Sequence, residues 1–268
     1  MSWTVFRASL QQRRTSLIWY SIGLVFYSWF IVWYYPQFAG NEEFFEQIQE
    51  VMTEELLAAF GASGLDFGTF GGFLGVEYLS IIWVVIAGAA MISFAAKSIA
   101  SEVEAGTMEL TLTQPVSRLS VALSRWMSMA VYAVFINLAT VAPIWTAAVY
   151  YDVEVQADAM YMLFAAGLLL TLAVGGFAFM VSAISRSGGR VAAITSGLLG
   201  AMWLTDFVAA VNEGTAFLDK FTIFHYWQPA AIIDDATTRP ETWWVFGVAA
   251  VLFAAIGVWR FLGRDVAA

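Results

Sequence analysis

Residues 17–35, LIWYSIGLVFYSWFIVWYY, decide what kind of protein this is. The nineteen positions carry no charge. About 20 such residues in a helix, at about 1.5 Å rise each, cross the roughly 30 Å hydrocarbon core of a bilayer. Trp19 and Tyr20 stand at one end and Trp33, Tyr34 and Tyr35 at the other, where amphipathic rings prefer the membrane interface. Pro36 stops the helix, because it has no N–H to donate and its ring clashes with the preceding turn. The apolar run is longer than the roughly 7–15 residues of a signal peptide and no clear small-residue cleavage site follows, so it reads as a retained anchor.

Five further stretches have the same character: about 73–96, 119–149, 159–185, 191–211 and 242–262. The third span is longer than a membrane needs, so its first turns are expected to stand in the cytoplasm. The chain is therefore expected to be an all-α integral membrane protein of six transmembrane helices, forming one domain over residues 1–268. Composition agrees. Of 268 residues, 60 % are hydrophobic and 12 % charged, with a mean hydropathy of +0.73; a soluble domain carries about 25 % charged residues. With no cysteine, disulfides, thiolate metal sites and cysteine nucleophiles are excluded. The single histidine, His225, excludes the zinc motifs built on histidine pairs. A net charge of −9 argues against a nucleic-acid partner, since phosphates require a basic patch.

Orientation follows from where lysine and arginine fall, because loops rich in them stay in the cytoplasm. Ten basic residues, Arg7, Arg13, Arg14, Lys97, Arg118, Arg125, Arg186, Arg190, Arg260 and Arg264, lie on one side of the expected spans, against only Lys220 and Arg239 on the other. Both termini are expected inside. Fifteen acidic residues lie in the external segments, so the negative charge is an external feature, either a cation-facing surface or an ordinary solvated one.

Between the spans, residues 2–14 place Trp3, Phe6 and Leu10 on one helical face opposite Arg7, Gln11 and Arg13. That spacing suits a short interfacial helix on the inner membrane surface, the alternative being a plain extension of the first span. In the first external loop, NEEFFEQIQEVMTEELLAAFG (41–61), Phe44, Ile48, Val51, Met52 and Leu56 recur at helical spacing, which predicts an external amphipathic helix. Six glycines over residues 61–75 read either as a close-packed or re-entrant approach to the second span or as a flexible loop. The long external stretch 212–241 contains FTIFHYWQPAAII and predicts a re-entrant or surface-lying pair of short helices. His225 within it either titrates near neutrality or is structural.

There is no GxxxxGK[ST], HExxH or GxSxG, so neither a phosphate-cradling loop nor the simplest hydrolase sites are present. The informative stretch is KSIASEVEAGTMELTLTQPVSRLS, residues 97–120. A helix running on past Lys97 to about Ala105 should end at Gly106, which tolerates a left-handed conformation. Thr107 can cap a new short helix with Glu109 in its first turn. Gln114-Pro115 ends that helix, and Ser117 can cap the third span. The result is a helix across the base of the bundle, exposing Met108, Leu110 and Leu112 to a partner, or else a tight structural turn. Within the spans, Glu77 and Asp206 are costly ionisable groups, Asn137 is polar, and Pro143 should kink the third span and free the Ala139 carbonyl; these four are candidate pathway or gating residues, with passive packing as the alternative.

Residues 102–118, E-V-E-A-G-T-M-E-L-T-L-T-Q-P-V-S-R, resemble the E-x-E-x-G-T-x-x-x-L-x-x-x-P-[VI]-S-R signature of permease subunits in the type-2 export family of ATP-binding-cassette (ABC) transporters. The six-span plan with both ends inside resembles that family over nearly the whole chain, as does the element Phe224-x-Tyr226-x-x-Pro229, which includes His225. Trp227-Gln228 departs from the pattern, which commonly has an aspartate before that proline. The resemblance implies that Glu102, Glu104, Gly106, Thr107, Met108, Glu109 and Leu110 form a coupling helix seated on a separate ATPase subunit. It also implies that ATP and Mg belong to that partner, with no cofactor and no catalytic residue on this chain. A second permease copy (or a related permease), membrane lipid and a plasma-membrane location complete the expectation, with ATP-driven export of a hydrophobic or amphipathic substrate as the function. The competing class is a non-transporting multipass protein, a sensor or assembly scaffold docking a cytoplasmic partner. An ion channel would need a polar ring or filter motif that is missing.

The charge asymmetry places Ser117 inside and Glu50 outside. Because no native cysteine interferes, single Ser117→Cys and Glu50→Cys variants in intact cells test this directly: a membrane-impermeant maleimide should label only the second.

Overall fold

The computed structural model describes residues 1–37 and 68–264. The described residues form helices α1 (Trp3–Tyr34), α2 (Phe70–Leu74), α3 (Ile82–Ser98), α4 (Ala100–Glu104), α5 (Thr107–Leu112), α6 (Arg118–Tyr150), α7 (Ala157–Ile184), α8 (Gly188–Val211), α9 (Pro229–Asp235) and α10 (Pro240–Leu262). No strand occurs among them. Six are long and apolar enough to cross a membrane: α1, α3 with α4, α6, α7, α8 and α10. The fold is an all-α membrane bundle. The expected external helix within residues 41–61 lies outside the described residues.

Helix α7 is the hub, lying along α10 and also touching α3, α6 and α8, while α1 lies along α6. Lipid tails are as apolar as leucine, so helix association in a membrane depends on close packing and on small residues that allow it. At Gly167 a Cβ would meet Asn137 Oδ1 at 2.6 Å, and at Gly257 it would meet the Phe179 ring at 2.8 Å. Glycine is what allows α6 and α10 to approach α7 so closely. Between the helices two polar pairs form: the Trp83 indole N–H donates to the Thr140 hydroxyl at 2.9 Å, and the Asn137 amide donates to Thr171 Oγ1 at 2.9 Å.

The two ends of the bundle differ. At the basic end, Arg13 donates to the Lys97 carbonyl, Arg118 to the Arg264 carbonyl, and Arg264 to the carbonyls of Ala183 and Ser185. These bonds bring the beginning and the end of the described chain to one face. At the acidic end, α2 and α9 pack together through glycine. A Cβ on Gly71 would collide with the Ala230 carbonyl and the Asp234 carboxylate at 2.5 Å. Asp234 holds the pair by accepting from the Gly71 N–H and the Thr69 hydroxyl, each at 2.7 Å.

Three expectations are corrected. Residues 2–14 do not form a separate interfacial helix: α1 is unbroken from Trp3 to Tyr34. Nothing in that sequence stops a helix, and the early turns find a partner in the first turns of α6. There Ser124 Oγ accepts from the Ser2 N–H at 2.8 Å, and the Ser128 hydroxyl donates to the Phe6 carbonyl at 3.0 Å. With 32 and 33 residues, α1 and α6 are each about 50 Å long, so both run beyond the bilayer. The second span is also not one helix over 73–96. It runs α2, a π turn over Gly75–Leu79, a break at Ser80 and Ile81, then α3. Trp227, 5 % exposed, fills this break: its indole donates to the Leu79 carbonyl at 2.9 Å and stacks on Trp83 at 5.0 Å. Residues 212–241 hold three short elements rather than a pair, two 3₁₀ turns over Glu213–Phe221 and Phe224–Tyr226 followed by α9. The remaining spans match expectation to within three residues, and α6 continues through Pro143.

Replacing Trp227 by Phe keeps the stack and removes the donor to Leu79, which should cost about 1 kcal/mol; Trp227→Ala should cost about 3–5 kcal/mol. Thermal unfolding of the detergent-solubilised protein should rank wild type above Trp227→Phe and Trp227→Phe above Trp227→Ala.

Candidate functional site

The segment between α3 and α6 forms a joint at the basic end. Ile99, with φ −128° and ψ −57°, breaks α3 from α4, and the Ala100 N–H released there donates to Ser182 Oγ of α7 at 3.1 Å. α4 ends at Glu104. Gly106 then takes a left-handed φ of 70°, its N–H bonded to the Val103 carbonyl at 3.1 Å, and α5 starts in a new direction. Ser117 Oγ accepts from the Ser120 N–H at 3.2 Å and so caps α6, as its sequence position predicts.

Both glutamates of α4 are spent within the chain. Glu102 forms a 2.5 Å ion pair with Arg125 of α6, which is only 4 % exposed. Glu104 accepts from the Gly188 N–H at 3.0 Å, placing a carboxylate at the positive N-terminal end of α8. The small α4 is thus fastened to α6, α7 and α8. The approach is close: a Cβ on Gly188 would lie 2.2 Å from Ser101 Oγ and would make that hydroxyl turn away.

On α5 the structure corrects two details. Thr107 does not cap the helix; Gly106 occupies that position, and the Thr107 hydroxyl donates backward to the Glu102 carbonyl at 3.3 Å. Met108 is not offered outward but is fully buried, so it anchors α5 to the bundle. Glu109 is exposed and Leu110 is 68 % exposed. Glu109 and Leu110 are thus the outward residues of a helix whose base is held at several points.

Arg125 was missed as a site residue by sequence reasoning. Its signal was a charge in the first turns of an otherwise apolar helix, where burial against neighbouring helices requires a partner. By contrast, Glu77, Asn137, Pro143 and Asp206 are not brought together. Glu77 is exposed on the π turn, Asn137 is buried between α6 and α7, and Asp206 accepts from the Thr222 hydroxyl at 2.8 Å, tying α8 to the loop after it. No hydrogen bond joins any two of the four among the described residues. In the external element, the Tyr226 hydroxyl donates to the Lys220 carbonyl at 2.9 Å and the Tyr226 carbonyl accepts from Thr242 at 2.8 Å. His225 Nδ1 lies 2.6 Å from Asp219, its imidazole meets Arg239, and Pro229 opens α9 as its first residue. These contacts tie the loop together.

No cluster of metal-ligating side chains occurs among the described residues. Six helices long and apolar enough to cross a membrane, with a short, firmly held surface helix at one end, define a multipass membrane protein. The sequence profile described as ABC-2 family transporter protein matches residues 3–266, and the chain belongs to that family. It is therefore a permease of the ABC transporter class, a kind of subunit that is not itself an ATPase and that works with an ATPase partner. No curated protein matches the chain at a significant level.

The Glu102–Arg125 pair should behave as a unit. Arg125→Gln and Glu102→Gln should each lower thermal stability. The double variant should lose less than the sum of the two, with a coupling of about 1 kcal/mol or more in a double-mutant cycle, because each single change strands a half-desolvated charge.

Proposed function

We propose that this chain is the membrane-spanning subunit of an ATP-driven exporter of the plasma membrane, with α5 seated on a separate ATPase subunit that holds the ATP and Mg. The observation that carries this reading is the joint: Glu109 and Leu110 are outward on a helix whose root is pinned to α6, α7 and α8. A displacement of α5 is then passed to three spans at once, and rigid-body movement of packed helices is a common way to switch between states. The ten-to-two distribution of basic residues supports a cytoplasmic position for this face and for both termini. Two permeases, identical or related, would supply about twelve spans. A hydrophobic or amphipathic substrate fits the interior. Few polar groups are buried in the middle of the spans, and among them Asn137 donates to Thr171 and to the Ala133 carbonyl while Thr140 and Thr171 donate to carbonyls of their own helices.

Gly106 gives the sharpest test. Its absent Cβ has open space around it, so Gly106→Val introduces no clash, only the cost of a β-branched residue at positive φ, about 1–2 kcal/mol. Asparagine tolerates that region. Gly106→Val should insert normally yet lose substrate-stimulated ATPase activity or ATPase co-purification, Gly106→Asn should keep most of both, and Leu110→Asp should lose both without a change in thermal stability. Full coupling in Gly106→Val and Leu110→Asp together would reduce α5 to a structural turn and favour the sensor or scaffold alternative.

A further inference from the structure

A cleft of about 370 Å³ opens at the basic end between α1, the end of α3 and the α4–α5 joint. Arg13 and Lys97 line it, together with Gln12, Ser101, Thr107 and Thr111. The one carboxylate on its wall, Glu102, is already paired with Arg125 at 2.5 Å. No described carboxylate pairs with Arg13 or Lys97. Arg13 spends one N–H on the Lys97 carbonyl at 2.8 Å, and its guanidinium lies 5.8 Å from the centre of the Phe94 ring, which holds it in place. Its other donors remain available. The cleft therefore keeps an excess of positive charge, with three hydroxyls and an amide beside it.

Its depth selects the ligand. Arg13 stands four residues before the apolar run that begins at Leu17, about 6 Å along the helix, and Lys97 ends the apolar helix α3. By their distance from the apolar runs both cations are expected at the level of lipid headgroups, and basic pockets between spans at that level bind anionic headgroups. We propose that this cleft is a binding site for the phosphate headgroup of an anionic phospholipid. The headgroup would be gripped by Arg13 and Lys97 and would rest against Thr107 and Thr111 of α5. A bound lipid would thus touch the helix proposed to meet the ATPase. The inference rests on that reading only for the leaflet supplying the lipid, and the binding test below is independent of ATPase activity.

The test is native mass spectrometry of the full chain, delipidated in mild detergent and titrated with phosphatidylglycerol, phosphatidylcholine or inorganic phosphate. Wild type should retain phosphatidylglycerol in preference to phosphatidylcholine. Arg13→Gln and Lys97→Gln should each weaken that retention about fivefold. Arg13→Lys should retain most of it, and Arg190→Gln, an exposed cation outside the cleft, should leave it unchanged. Lys97 is exposed, so its variant keeps the test valid if Arg13→Gln fails to fold. Equal retention of the two lipids, undiminished retention in both glutamine variants, or an equal loss in Arg190→Gln would overturn the proposal. Displacement of the lipid by millimolar phosphate would make a free anion the ligand and overturn it as well.

Discussion

In a bilayer core no water is present to take up a backbone group that a helix releases. Several irregularities in this structure follow the same rule, that a released backbone group finds a partner elsewhere in the chain. Where the second span breaks at Ser80 and Ile81, the Trp227 indole is supplied to the Leu79 carbonyl from 148 residues away. Where α3 breaks from α4, Ser182 Oγ takes the Ala100 N–H. Where α2 begins, Asp234 takes the Gly71 N–H. At these three places a side chain from another element satisfies what the break frees, so the bends in the chain and its tertiary contacts determine one another.

The same economy shapes the joint at the basic end. Glu102 and Glu104 look on sequence like residues for a partner, yet each neutralises a local cost: the buried charge of Arg125 and the open N-terminus of α8. Within the joint, the outward surface falls to α5. Its burial pattern, Met108 inward with Glu109 and Leu110 outward, separates the residue that fixes the helix from those available to a second protein.

Length and hydropathy made the spans legible, because an apolar run of bilayer length has few other uses. The end of α4, the left-handed Gly106, the short α5 and the Ser117 cap were equally legible, since each depends on local chemistry within a few residues. What was not legible depends on contacts distant in sequence. Nothing near Ile81 announces a break, because the Trp227 that stabilises it lies in a different loop. Residues 2–14 have an interfacial pattern, but the first turns of α6 offered a better partner than the lipid surface. Thr107 satisfied every local rule for a cap and was displaced by one residue because the glycine before it could take the required φ.

The acidic end is built from pieces too short to persist alone: α2, the π turn, two 3₁₀ turns and α9. Isolated helices of such lengths are marginal at best. They are held by one another and by α8 and α10, through Asp234, Trp227, Thr222 and Thr242. Pieces that depend on one another in this way should open together rather than one by one, and the burial of all of α2 and of Pro229, Ala230, Ile232 and Ile233 in α9 adds to what such an opening would cost.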